Sequence, residues 1–153
     1  MSVEFMVLSL SWIMLPLLWM MVPKQKIHHA LIAALFCQML GWAIDLTVVQ
    51  MRWVEYPVRE FPHATRFNFS LFTLFYPTLI MLFVLYAPRS PRRQAGHFLL
   101  CALGLTLFAE LLRTYTNLSA YRHWAWYCSF LTFSLKIYAT FWFTRWFQKG
   151  LVS

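Results

Sequence analysis

Long apolar runs, broken by short charged stretches, organise this chain. Five runs occur, at about residues 5–22, 29–51, 69–86, 97–112 and 124–146. Each is near the roughly 20 residues a helix needs to cross hydrocarbon. The first stops at Pro23, Lys24 and Lys26. Glu4 precedes it, no Lys or Arg does, and no small-x-small site follows, so it reads as a retained helix rather than a signal peptide. The third contains Pro77, which removes a backbone donor and predicts a kink. The fourth is the shortest and closes on Glu110 and Arg113. The fifth spans roughly 33 Å and carries Trp124, Trp126 and Trp146 where aromatic belts are expected. The pattern predicts an all-α membrane protein, a bundle of five transmembrane helices forming one domain over residues 1–153.

Between the second and third runs lies RWVEYPVREFPHATRFN, Arg52 to Asn68. It is aromatic and carries both signs of charge, and Pro57 and Pro62 stop a continuous helix. A short re-entrant or interfacial segment on the outer leaflet is predicted here.

Charge sets the orientation. One side of a five-span chain holds Arg52, Arg59, Arg66, Arg113 and Arg122, offset by Glu4, Glu55 and Glu60. The other holds Lys24, Lys26, Arg89, Arg92, Arg93, Arg145 and Lys149 with no acid. The positive-inside rule puts the second side in the cytoplasm and the N-terminus outside. The formal net charge of +8 is then a topology signal. It does not indicate nucleic acid, since no basic stripe is long enough to follow phosphates. Composition agrees: 61% of residues are hydrophobic and 12% charged, against about 25% charged in soluble domains. Cys37, Cys101 and Cys128 all lie inside apolar runs, where they behave as small apolar residues and form no disulfide framework.

Charges inside a span cost several kcal/mol unless paired or hydrated, and each is a candidate functional group. Lys136 stands about 18 Å from Trp124, near mid-bilayer. Ser129, Thr132, Lys136 and Thr140 share one face, a polar stripe that must point into the bundle. Glu110, roughly 18–20 Å up its own helix, is its expected partner in an ion pair. Thr106, Glu110 and Arg113 share a face. Asp45 ends a smooth row, Ala33, Cys37, Gly41 and Asp45, that lets another helix approach closely. Its expected partners are Arg59, Arg66 or Arg113. Such charges either fix helix register or line a polar path.

Other chemistry is weakly supported. His28, His29, His63, His97 and His123 all lie near span ends, which argues against a haem held between helices, and no spacing completes a metal site. No nucleophile motif, metalloprotease motif or phosphate loop occurs, so no catalytic residue, metal or cofactor is assigned. A mid-membrane lysine in the last helix resembles a retinal Schiff base, but five helices are too few for that fold. Arg89-Ser90-Pro91-Arg92-Arg93 is juxtamembrane and either attracts anionic lipid or serves as a topology signal.

Glu55-Tyr56-Pro57-Val58-Arg59, Phe67-x-Phe69, Phe75-Tyr76-Pro77, Glu110 and Tyr121-x-x-Trp124-x-Trp126 together carry a resemblance. Over nearly its whole length the chain resembles the uncharacterised small five-helix integral membrane proteins of spore-forming Firmicutes. The resemblance implies a multi-pass protein of a bacterial plasma membrane. It brings no activity with it and does not include Lys136. Two function classes follow. One is a non-enzymatic membrane subunit or scaffold that binds another membrane protein or itself. The alternative is a small oligomeric carrier or channel in which Asp45, Glu110 and Lys136 line a polar path. Hydration separates them: a subunit keeps its buried charges dry and paired, whereas a carrier gives them solvent access.

Overall fold

Prolines, charged turns and capping groups set the helix boundaries in the computed structural model, which describes residues 2–152. Five helices form: α1 (Val3–Met20), α2 (Ile27–Gln50), α3 (Tyr76–Leu85), α4 (Pro91–Tyr115) and α5 (Trp126–Val152). A 3-10 turn, Lys24–Lys26, leads into α2, and a π-helical stretch, Ser70–Phe75, leads into α3. Two short strands, β1 (Val54–Glu55) and β2 (Ala120–Tyr121), complete the fold.

The expected helices are all present, with two large shifts: α4 starts six residues earlier than expected, and α5 ends six residues later, drawing Lys149 inside. The fourth is not the shortest. It begins at Pro91, where a proline in the first turn is pre-set for helix, and so draws Arg92 and Arg93 inside. The third is the shortest, and its irregularity falls before Pro77. A proline ring clashes with the carbonyl four residues back and offers it no N–H. Widening to π geometry over Ser70–Phe75 relieves that conflict. Neighbouring indoles hold the widened turn. Trp12 Nε1 donates to Ser70 Oγ at 2.7 Å, and Trp42 Nε1 donates to Thr73 Oγ1 at 3.1 Å. The Glu60 carboxylate accepts the N–H groups of Phe69 and Ser70, both at 3.0 Å, and so caps the segment from a distance.

α3 is the central helix, packed against the other four. Tyr76, Ile80, Met81 and Leu82 are buried on it. The outer helices are inverted relative to a water-soluble protein. Leu99, Leu103, Leu107 and Leu111 form an exposed stripe on α4, as do Leu131, Leu135, Tyr138 and Trp142 on α5. Meanwhile Ser129, Lys136, Thr140 and Thr144 are buried. Continuous apolar stripes of this kind are excluded from water-facing surfaces. Three helical segments are long and apolar enough to cross a membrane: Val3–Met20, Lys24–Gln50 and Pro91–Tyr115. Ser70–Leu85 is apolar but shorter. The chain is thus a mostly helical, five-helix protein with several candidate membrane spans.

At one end of the bundle the two longer loops are stapled together. β1 and β2 pair antiparallel, Val54 opposite Tyr121 and Glu55 opposite Ala120. Trp53 C=O accepts from the N–H groups of Arg122 and His123 at 2.9 and 3.1 Å. Arg122 donates twice to Glu55 Oε2, at 3.0 and 2.9 Å. The segment expected to be re-entrant or interfacial is therefore tied to the α4–α5 loop by a ladder that no hydropathy pattern signalled. α2 delivers the chain to it through a Schellman cap. Trp53 N–H bonds Val48 C=O and Arg52 N–H bonds Val49 C=O, with Arg52 left-handed at φ 57°.

Candidate functional site

Lys136 and Asp45 meet inside the bundle. Lys136 Nζ donates to both carboxylate oxygens of Asp45 at 3.0 Å. Their side chains are 5% and 11% exposed, so the pair is nearly dry. Side chains on a helix lean toward its N-terminus. α5 starts at the ladder end, so Lys136 leans up toward that end, while Asp45 on α2 leans down to meet it. Gly41 lies beside the pair: a Cβ there would stand in ordinary van der Waals contact with Lys136 Nζ, at 3.7 Å, and with Asp45 Oδ2, at 3.8 Å. Phe36 and Phe143, stacked at 4.0 Å, pack the same α2–α5 seam. The Phe133 ring, with its centroid 5.8 Å from Nζ, gives the ammonium a further favourable face.

This corrects two expectations. Glu110 does not hold Lys136. It accepts from Arg113 one turn along, Nε at 2.9 Å and Nη2 at 2.8 Å, and its Oε1 is buried without a hydrogen-bond partner. α4 runs from Pro91 to Tyr115, which puts Glu110 about 28 Å along that helix and five residues from its ladder end. A local i, i+3 partner is already within reach there. Asp45 in turn bonds none of the arginines expected for it. Arg113 is taken by Glu110, Arg66 donates to Gln50 Oε1 at 3.2 Å, and Arg59 Nε is buried without a hydrogen-bond partner. The small-residue row on α2 faces the polar stripe on α5, and that rotational fact decides the pairing.

A cavity of about 60 Å³ stands above the pair, toward the ladder end. That is room for a few water molecules. Asp45, Lys136 and Thr132 border it below. Val54, Tyr56 and Tyr121 from the ladder region, with Trp124, border it above. Its side walls are aromatic. Tyr56 stands edge-on to Phe72 at 5.1 Å, Tyr76 lies 5.2 Å from Phe72, and Tyr76 lies 5.3 Å from Phe133. Asn68 closes one side, its Nδ2 donating to Leu118 C=O at 2.9 Å while its Oδ1 is buried and unpartnered. Ser129 closes another, receiving Trp124 Nε1 at 2.8 Å and lying 3.1 Å from Tyr121 Oη.

The loop motif takes part unevenly. Glu55 is spent on the ladder and Tyr56 lines the cavity, whereas Pro57 and Arg59 border a separate surface groove with Arg52 and Arg66. Burial pushes the Tyr56 hydroxyl well above the usual phenol range, and the nearby Asp45 charge adds to it. Burial also raises Tyr121. Both phenols therefore act as neutral hydrogen-bonding groups. The hydroxyls of Thr106, Thr132, Ser134 and Thr144 bond the carbonyl four residues back on their own helices, so none is presented to a base. Hydrophobicity flagged none of Tyr56, Asn68, Tyr76 or Tyr121 as cavity residues; only their presence in or near the aromatic-proline motifs singled them out.

The arrangement can hold a small neutral or polar group against aromatic walls and a paired charge. Comparison with protein-family models, curated proteins and solved structures finds no match to this chain.

Proposed function

We propose that this is a non-enzymatic, multi-pass protein of a bacterial plasma membrane, of the spore-forming Firmicutes type, acting as a subunit or scaffold that binds another membrane protein or itself. In this reading all five helices cross, with the β ladder outside and the C-terminus in the cytoplasm. The exposed apolar stripes on α4 and α5 support the five crossings. The observation that carries the subunit reading is the closed Asp45–Lys136 pair: two direct bonds, almost no exposure, and no charged group left open in mid-bundle to conduct. Buried pairs of this kind fix register and topology.

A second reading, a small carrier, draws on one observation: the cavity reaches both charged residues. Purification in mild detergent from the native membrane, followed by native mass measurement, separates the two. A stoichiometric partner or a homo-oligomer that carries no ion flux in vesicles supports the subunit. Flux abolished by Asp45→Asn transfers the assignment to transport.

A further inference from the structure

At the end of the bundle opposite the ladder lies a second, larger cleft of about 510 Å³, within the roughly 300–1,000 Å³ of small-molecule sites. The start of α2, the α3–α4 turn and the end of α5 build it. Lys26, Arg89 and Arg145 bring three cations to its rim, and His29, Gln94 and Gln148 add further hydrogen-bonding groups. No acid lines it. All five acids of the chain are engaged elsewhere. Asp45 holds Lys136, Glu55 holds Arg122, and Glu110 holds Arg113. Glu60 caps Phe69 and Ser70, while Glu4 accepts from Asn117. The cations at this rim therefore have no carboxylate among the described residues. The inner wall is apolar, with Val84, Leu85 and Phe141. Arg145 is laid over Phe141 with its guanidinium 5.2 Å from the ring centroid, which holds it at the cleft.

We infer that this cleft binds a phosphate-bearing anion and that its occupant is the headgroup of an anionic phospholipid. Three cations lining one cleft without an acid match a phosphate in charge, and Arg145 offers the planar fork that suits phosphate oxygens. The lipid source follows from position. Exposed Tyr86 and Trp146 flank this end, and such aromatics mark the headgroup level. Seated there, a phosphate would place its acyl chains along the apolar outer faces of α4 and α5. A topology signal alone requires cations near this end but not three of them around one acid-free cleft. The inference is independent of the subunit reading. It shares only the membrane setting, and a nanodisc presents both leaflets whatever the orientation.

The test is native mass spectrometry of the full chain released from nanodiscs holding equal amounts of phosphatidylglycerol and phosphatidylcholine. One anionic lipid should stay bound per chain. Each headgroup cation is worth about 1 kcal/mol, about fivefold, so Arg89→Gln with Arg145→Gln should weaken retention about thirtyfold. Arg122→Gln, which removes a cation at the ladder end, should leave retention unchanged. Melting of each variant in detergent checks folding, and Lys26→Gln provides a single-site version should the double variant unfold. Equal retention of both lipids overturns the inference, as does equal loss in Arg122→Gln. If inorganic phosphate binds the detergent-solubilised chain and displaces no lipid, the lipid assignment is overturned in favour of a soluble phosphate.

Discussion

Breaking the Asp45–Lys136 pair from one side should be far more damaging than removing it altogether. Asp45→Ala leaves the Lys136 ammonium, 4% exposed, with only the Phe133 ring and nearby hydroxyls. Loss of one partner of a buried pair costs about 3–5 kcal/mol, and a lone lysine at a helix centre in a membrane costs about 2.5–3.5 kcal/mol. The cavity beside the pair admits a few waters, which hydrate the orphan and favour the lower end, about 3 kcal/mol. Lys136→Met should cost a similar amount by stranding the carboxylate. The double variant leaves no charge to desolvate and fills the lysine volume with a flexible apolar chain, so it should lie within about 1 kcal/mol of the parent. The coupling energy from the cycle should then exceed about 2 kcal/mol. Reversible unfolding in mixed micelles titrated with a denaturing detergent measures all four corners. Glu110→Gln combined with Lys136→Met serves as the control and should be additive, because Glu110 bonds Arg113 instead. A coupling below about 0.5 kcal/mol for Asp45–Lys136, or a larger one for Glu110–Lys136, would refute the reasoning.

Three further outcomes are expected. Glu60→Ala removes the acceptor for two helix-end N–H groups and should destabilise by about 1–2 kcal/mol, with faster hydrogen exchange at Phe69 and Ser70; unchanged exchange there would contradict the cap. Arg52→Gly puts a permissive residue at the left-handed cap position and should stabilise by up to about 1 kcal/mol despite the lost charge, as read by the same unfolding titration. Stability should fall as pH rises above about 10, because the unfolded chain releases tyrosine protons there while Tyr56 and Tyr121, raised by burial, retain theirs; Tyr56→Phe should flatten that slope, and an unchanged slope would show that Tyr56 ionises freely in the fold.

Hydropathy made most of this fold legible, because a helix long enough to span a bilayer must write an apolar run of matching length. It failed where structure depends on rotation or on distant loops. Depth along the helix pointed to Glu110 for Lys136 and to an arginine for Asp45, yet in the fold the two acids each stand five residues from their helix end, so depth does not separate them. The sequence held the deciding features, a small-residue row ending in Asp45 and a polar stripe holding Lys136, but it did not say that α2 and α5 face each other. The fourth helix was drawn too short because Arg92 and Arg93 read as loop, whereas Ser90-Pro91 is a helix start. The β ladder was invisible because two residues per strand show no alternation. The cavity was only half legible. Tyr56, Tyr76 and Tyr121 belong to aromatic motifs in separate parts of the chain, and packing alone brings them to one wall.

The two ends of the bundle use their cations differently, and this gives the bare charge count a structural meaning. At the ladder end arginines are structural: Arg122 holds the ladder through Glu55, Arg113 holds Glu110, and Arg66 ties the loop back to Gln50. At the opposite end Lys26, Arg89 and Arg145 line one cleft, and no acid among the described residues borders it. Fold stability should therefore depend on cations at the first end and be indifferent to those at the second, although the second end holds more of them, seven Lys and Arg against five. A fold that needed charge merely for solubility or insertion would show no such division. Because the acid side chains are all committed to the ladder end or the interior, the opposite end keeps a strong positive field, which the anion proposed for the cleft would meet.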